Sequence, residues 1–285
     1  MKRVLILGSS GMLGHVAMIR LEELGYSVFG VSNARKFGGI STLLDVSSKK
    51  DLDLFLDKND FDVIVNCIAL LVSDSEEYKD LAVYLNSFIP HFLETKYMET
   101  NTKIIHVSTD GVFSGKGAPY SENSPHDTES FYGRSKSLGE IVNAKDLTVR
   151  SAFWGPDLNE ASTSFFNWIL NQNDTIKGFS NHIFNGVSSL EFAGFVDTAI
   201  RDNLKGIFHL TANIPISKCD FMLSVREVFG LKNAIIPVEA QSVNRTLMNN
   251  RSDIPYAEAD YATMLLTCKK WIQERKMFYP HYEIA

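Results

Sequence analysis

The sequence lacks a membrane-length apolar run. Its longest one, Val63 to Val72, is interrupted by Asn66 and reaches about half of a ~20-residue span. It lacks a basic block as well. Its 28 Lys and Arg stand against 34 Asp and Glu, a net charge of -6, which argues against a nucleic-acid-binding surface. Cysteine is scarce: Cys67, Cys219 and Cys268 lie far apart, with no Cys-x-x-Cys pair. Neither a disulfide framework nor a zinc knot is expected, and a reducing cytoplasm suits such a chain. The N-terminus, Met1-Lys2-Arg3-Val4-Leu5-Ile6-Leu7-Gly8, has no signal-like stretch and enters a strand pattern at once. Asn244-Arg245-Thr246 and Asn250-Arg251-Ser252 match the glycosylation pattern, but without a secretion signal they are set aside. There is no internal repeat, no low-complexity linker and no His/Asp/Glu spacing that suggests a metal site. The expected chain is a cytoplasmic protein without membrane or nucleic-acid partners.

What is present is an ordinary globular composition, 45% hydrophobic and 22% charged over 285 residues, ample for a full core. Short apolar runs alternate with amphipathic stretches through the first half. Strands are predicted at Val4–Leu7, Val28–Val31, Val63–Cys67, Ile104–Val107 and Leu147–Val149, and helices at Leu13–Leu24, Lys49–Lys58, Leu81–Met98 and Tyr132–Val142. Pro90 either kinks or splits the long helix. Strands apolar on both faces and separated by helices predict a parallel sheet covered on each side. After Pro156 helices dominate, at Thr163–Asn171, Leu190–Asn203, Lys218–Phe229 and Tyr261–Lys276, with a short strand at Ile207–Leu210. The expectation is a Rossmann-like, doubly wound α/β domain over residues 1–155. A smaller, interleaved substrate-binding lobe follows over 156–285.

Gly8-Ser9-Ser10-Gly11-Met12-Leu13-Gly14 sits between the first strand and the first helix. There Gly8 suits a tight turn, Gly11 lets backbone approach a pyrophosphate, and Gly14 lets helix and strand pack closely. The helix N-terminus offers free N–H groups to phosphate. The alternative is a purely structural turn. The end of the second strand reads Ser32-Asn33-Ala34-Arg35-Lys36, with no acid before Asp45. An acid there would bind the ribose 2′-OH of NADH; small polar groups with Arg35 suit a 2′-phosphate instead. NADPH is favoured, with NADH possible, unless Arg35 and Lys36 simply solvate a loop. Asp45-Val46 either flanks adenine or provides the cap of the next helix.

Tyr132 and Lys136 are one helical turn apart, a spacing that alone is weak evidence. The strand Ile104–Val107, however, ends in Ser108-Thr109-Asp110, and the C-terminal ends of parallel strands face the ligand crevice. Reducing a carbonyl needs hydride on carbon and a proton on oxygen. A phenol near pKa ~10 exchanges protons poorly at neutrality, and a neighbouring ammonium is expected to lower that value. Thr109 would hydrogen-bond the carbonyl oxygen. The alternative is a solvated Tyr–Lys helix face.

Together these segments resemble the extended short-chain dehydrogenase/reductases. Ser108-Thr109-Asp110-Gly111-Val112-Phe113-Ser114-Gly115, Tyr120-Ser121-Glu122 and Tyr132-Gly133-Arg134-Ser135-Lys136-Ser137-Leu138-Gly139-Glu140 are similar to the dTDP-4-dehydrorhamnose reductase (RmlD-like) family. The likeness continues looser through Val149-Arg150-Ser151, Phe184-Asn185-Gly186-Val187, Gly206-Ile207-Phe208-His209-Leu210 and Asn244-Arg245-Thr246-Leu247. The resemblance implies NADPH-dependent reduction of a 4-keto-6-deoxy nucleotide sugar, in cell-surface polysaccharide precursor synthesis, by a homodimer. It implies Thr109, Tyr132 and Lys136 as the catalytic set. Gly8, Ser10, Gly11, Met12 and Leu13 fall at the pyrophosphate. Ser32, Asn33, Arg35, Asp45, Val46, Cys67, Ile68, Ala69 and Ser108 complete the cofactor site, with Asn86 supporting it from its helix. Asp110, Gly111, Val112, Phe113, Asn185 and Arg245 fall at the sugar nucleotide.

One departure stands out. Family members acting on dTDP-4-dehydrorhamnose often carry Tyr where this chain has Gly111, so a bulkier sugar, such as a 2-acetamido one, fits. His106 reads as a core residue, His182 as either a substrate contact or a loop histidine, and Trp154 and Trp168 as packing. Two other functions fit the same pattern: an epimerase or dehydratase with tightly held NAD, and a non-catalytic dinucleotide-binding regulatory subunit.

Overall fold

A computed structural model describes every residue except Pro255, Glu258 and Ala285. The elements of the first half are β1 (Arg3–Leu7), α1 (Met12–Glu23), β2 (Ser27–Ser32), β3 (Ile40–Leu43), α2 (Lys49–Asp57), β4 (Val63–Asn66), α3 (Val72–Glu77), α4 (Lys79–Val83), α5 (Ile89–Tyr97), β5 (Lys103–Val107), α6 (Phe131–Leu138) and β6 (Leu147–Arg150). The second half adds α7 (Phe165–Leu170), β7 (Ile176–Phe179), β8 (His182–Phe184), α8 (Ser189–Arg201), β9 (Gly206–His209), β10 (Ile216–Ser217), α9 (Lys218–Phe229), β11 (Ile235–Val238), β12 (Val243–Asn244) and α10 (Tyr261–Glu274).

Seven strands form one parallel sheet in the order β3-β2-β1-β4-β5-β6-β9. The chain runs outward from β1 to β3 and then restarts on the other side at β4, so the crevice lies beyond the ends of β1 and β4. Alternate residues of β1 explain the two-sided covering. Val4 and Ile6 join the core under α1 and α8, while Leu5 and Leu7 join the one under α2 and α5.

The second half is not a separate body. Its α8, capped by Ser188 through the Glu191 N–H at 3.1 Å, packs on α1, and β9 adds the seventh strand beside β6. The rest forms two small sheets, β10-β8-β12 and β11-β7, around α7 and α9. Most of these short strands carry no clear sequence pattern.

Two helices differ from expectation. The stretch expected as Leu81–Met98 starts at Lys79 and passes through a π-turn at Tyr84–Phe88, where the Ile89 N–H donates to the Tyr84 carbonyl. The wider turn precedes Pro90, which has no N–H to donate and a ring that crowds the carbonyl four residues back. That carbonyl belongs to Asn86. Helix α6 stops at Leu138 rather than Val142. Gly139 follows it, and a Cβ there would lie 1.9 Å from the same Asn86 carbonyl oxygen.

Candidate active site

The first strand–helix turn has the geometry its glycines suggest. Gly8 has φ +82°, a conformation glycine adopts without strain. A Cβ on Gly14 would fall 2.1 Å from the Gly8 carbonyl oxygen, so helix and turn touch backbone to backbone. Gly11 starts α1 and no side chain caps it, leaving the helix N-terminus open to a phosphate. Met12 and Leu13 follow, and both face a cavity of about 550 Å³.

That cavity gathers groups from the ends of β1, β4, β5 and β6. Gly11, Met12, Leu13, Cys67, Ile68, Ala69, Ser108, Thr109, Asp110, Gly111, Tyr132, Lys136 and Arg245 all line it. The hydroxyls of Ser151 and Ser164 also line it, and both are buried without a hydrogen-bond partner. Orphaned hydroxyls of this kind fit a polar ligand. The open helix end and the close backbone approach fit a nicotinamide dinucleotide on the glycine-turn side.

Thr109 sits where β5 gives way to a single 3₁₀ turn, and its Oγ1 accepts the Gly111 N–H at 3.0 Å. Tyr132 lines the same cavity, and the Thr109 hydroxyl donates to Asp110 Oδ1 at 3.2 Å. Helix α6, which carries Tyr132 and Lys136, begins at Ser130, whose hydroxyl accepts the Gly133 N–H at 3.0 Å. Lys136 is 1% exposed, and its ammonium donates to the Val107 carbonyl at 2.7 Å. His106 Nε2 lies 3.5 Å from the same nitrogen, so the core histidine borders the lysine.

The electrostatics correct one expectation. Burial pushes the Tyr132 phenol up to about 12, with the neighbouring Thr109 side chain only partly offsetting it and Lys136 not among the acting charges. The ammonium is turned to the end of β5 instead, and burial pushes it down to about 8. In the chain alone the phenol therefore stays protonated, and Lys136 does not lower its pKa. Burial also raises the Asp110 carboxyl, against the pull of Arg245 and Lys218.

Several expected site residues have other roles. Val112 and Phe113 do not line the cavity; they form a small core with Tyr120 and Leu247, and Phe113 stacks on Tyr120 at 4.2 Å. Asn185 is a clasp whose amide donates to the Leu247 carbonyl at 2.8 Å and accepts the Leu247 N–H at 2.9 Å. Asn86 similarly holds the loop after β4, accepting the Leu70 N–H at 2.8 Å and donating to Ser135 Oγ at 3.0 Å. Ser108 lines the cavity, yet its hydroxyl donates to Glu140 at 2.6 Å, and Arg150 holds that carboxylate bidentately at 2.8 and 2.7 Å.

On the nucleotide side, Gly8, Ser10, Ser32, Asn33, Arg35, Asp45, Val46 and Asn86 lie outside the cavity lining. Val46 is in the core, and Asp45 accepts the Ser47 N–H at 2.9 Å, whereas Ser48 caps α2. Ser32 donates to the Arg35 carbonyl, and Asn33 and Arg35 are exposed. His182 is held by the Gln241 carbonyl at 2.9 Å. Sequence reasoning missed Lys218, Phe165 and Phe184, which line the cavity from the second half. Lys218 had one signal. It opens a helix, where the dipole disfavours a cation, so helix stability does not account for it.

Among the described residues, no cluster of three metal-ligating side chains occurs and no helix is long and apolar enough to cross a membrane.

Comparison with known proteins places this chain in a family. The spore coat polysaccharide biosynthesis protein SpsK of Bacillus subtilis (strain 168) is 25% identical over 249 residues, covering 85% of this chain and 84% of that protein. The methionine adenosyltransferase 2 subunit beta of Xenopus laevis is 27% identical over 266 residues, covering 86% and 78%. Among solved structures, a dTDP-4-dehydrorhamnose reductase of Bacillus anthracis str. Ames in complex with NADP superposes with a TM-score of 0.81 at 20% identity, covering 95% of this chain and 98% of that one. The family described as RmlD substrate binding domain matches residues 1–274, and the chain belongs to that family.

Proposed function

We propose that the protein reduces the C4 keto group of a 4-keto-6-deoxy nucleotide sugar with NADPH, in the synthesis of a cell-surface polysaccharide precursor. One observation carries this reading. Thr109, Tyr132 and Lys136 line the same cavity as the open N-terminus of α1. The relatives named as a polysaccharide biosynthesis protein and as an NADP-bound dTDP-4-dehydrorhamnose reductase support it.

A nicotinamide dinucleotide, when bound, supplies hydride to the carbonyl carbon. Thr109 Oγ1 orients the carbonyl oxygen and stabilises the charge that grows on it. Tyr132, kept protonated by burial, is in the form that donates a proton to that oxygen. Lys136, anchored on Val107, holds the nicotinamide ribose in this reading. Exposed Arg35, with no acid at the end of β2, supports NADPH over NADH. Gly111 packs against the proposed catalytic pair. Its own Cβ position is only 3.2 Å from Thr109 Oγ1 and 3.3 Å from the Tyr132 ring, so any side chain there presses on the catalytic pair. The reading includes a cytoplasmic homodimer joined through the helices between Lys79 and Tyr97.

The test is NADPH oxidation across a panel of dTDP- and UDP-linked 4-keto-6-deoxy sugars. Stoichiometric NADP⁺ release with one of them is the expected result; hydride returned without net NADP⁺ indicates an epimerase. The similarity to a methionine adenosyltransferase subunit favours a second reading, a subunit that holds the dinucleotide without turning it over. Tight NADPH binding with no oxidation across the whole panel would support that one.

A further inference from the structure

Lys218 and Arg245 share the cavity with Tyr132, and each directly follows a strand of one small sheet. In that sheet β8 is the middle strand, antiparallel to β10 and parallel to β12. Ser217 at the end of β10 and Asn244 at the end of β12 both register with Ile183 of β8. The next residue on either side is a cation, Lys218 in one case and Arg245 in the other. Arg245 is braced from behind, its backbone N–H donating to the Ile183 carbonyl at 2.9 Å and its Nε to the Phe113 carbonyl at 2.9 Å. That leaves the outer nitrogens of the guanidinium for a ligand. The Lys218 ammonium lies 5.4 Å from the centre of the Phe165 ring. Beside Phe165, the buried hydroxyl of Ser164 has no partner.

The charges of this corner do not balance. Lys218 and Arg245 repel each other, and among the described residues the acid that acts on Lys218 is Asp110, whose ionised form burial disfavours. Half-burying two like charges beside a single carboxylate that is reluctant to ionise costs free energy, which a bound anion offsets. The cofactor pyrophosphate has its own place at the start of α1, on the large sheet. A cation pair carried by the lobe sheet serves a second anion.

We propose that Lys218 and Arg245 form a two-cation clasp for the diphosphate of the nucleotide sugar, with Lys218 a substrate-binding residue in its own right. The inference rests on the reductase reading for the class of its ligand. A diphosphate diester carries one negative charge on each phosphorus, which matches one ammonium and one guanidinium. The clasp therefore selects a nucleoside-diphosphate sugar over a free sugar or a sugar monophosphate.

Calorimetric titration of the full chain with UDP and with dTDP tests this, with NADPH titration as the check that the glycine-turn side is intact. Lys218→Met is expected to weaken the better-binding nucleoside diphosphate at least tenfold and NADPH less than twofold. Lys218→Arg should restore most of the loss, and added salt should weaken the wild type more than the Met variant. Unchanged diphosphate affinity in Lys218→Met, in a wild type that binds UDP or dTDP, overturns the clasp and leaves the reductase reading standing. Equal losses for UDP and NADPH overturn it too, because the lysine would then act through the fold. A wild type that binds neither UDP nor dTDP removes both the clasp and the reading beneath it.

Discussion

His15 Nε2 lies 2.7 Å from the Tyr279 hydroxyl, across 264 residues of chain. His15 Nδ1–H donates to the Gly11 carbonyl at 2.8 Å, so Nε2 accepts from Tyr279, whose oxygen in turn accepts the Trp271 indole N–H at 2.8 Å. A hydrogen-bonded chain thus ties the glycine turn to α10 and the segment after it. Tyr279→Phe leaves two buried ring nitrogens without a partner, and should lower stability by about 1–3 kcal/mol. Urea unfolding measures this, and a change below a few tenths of a kcal/mol would show that the chain contributes nothing.

The same histidine predicts a pH dependence. Burial holds His15 down to about 4 from an ordinary 6.5, with Asp157 pulling it up and Arg35 pushing it down. Between those values the unfolded chain takes up a proton that the folded chain refuses. This contribution is therefore complete above pH 6.5 and shrinks as pH falls toward 4, by on the order of 3 kcal/mol. Stability measured at pH 7.5 and 4.5 should fall less in His15→Gln than in the wild type. Equal falls would place the acid sensitivity elsewhere, for instance at buried His209, which is also held down, to about 3.

Tyr132→Phe removes the proton donor and keeps the ring. Turnover should drop by about 10² or more, with NADPH affinity nearly intact. Unchanged turnover on a sugar from the panel that the wild type reduces refutes the assignment of the acid.

Arg35→Ala tests the cofactor. The side chain is exposed, so the fold should survive. NADPH affinity should fall about tenfold or more while NADH affinity changes little, since a lost charge-assisted contact to a 2′-phosphate has no counterpart on NADH. Equal effects on both nucleotides would end the preference for NADPH.

How much of this was legible depends on the length scale of the signal. The two-sided apolar strands and the glycine turn are local patterns, and they foretold the parallel sheet, its doubly wound order and the open end of α1. Thr109, Tyr132 and Lys136 were legible because a strand end and a single helical turn set their positions. That Val112 and Phe113 stay off the cavity lining was not legible: proximity to Thr109 along the chain does not decide on which side of a 3₁₀ turn a side chain emerges.

The residue order by itself determined the inner strands of the large sheet, most of its covering helices and the types of side chain at the candidate site, because those follow from periodicities of two to four residues and from side-chain type. Only the tertiary structure decided that Lys136 reaches Val107 rather than the phenol, that Asn185 clasps Leu247, and that β10 and β12 bring Lys218 and Arg245 to either side of Ile183. These depend on burial and on contacts between distant segments, which a linear pattern does not encode. Burial in particular reversed the expected direction of the Tyr132 pKa, since the cost of desolvating a charge is set by everything packed around it.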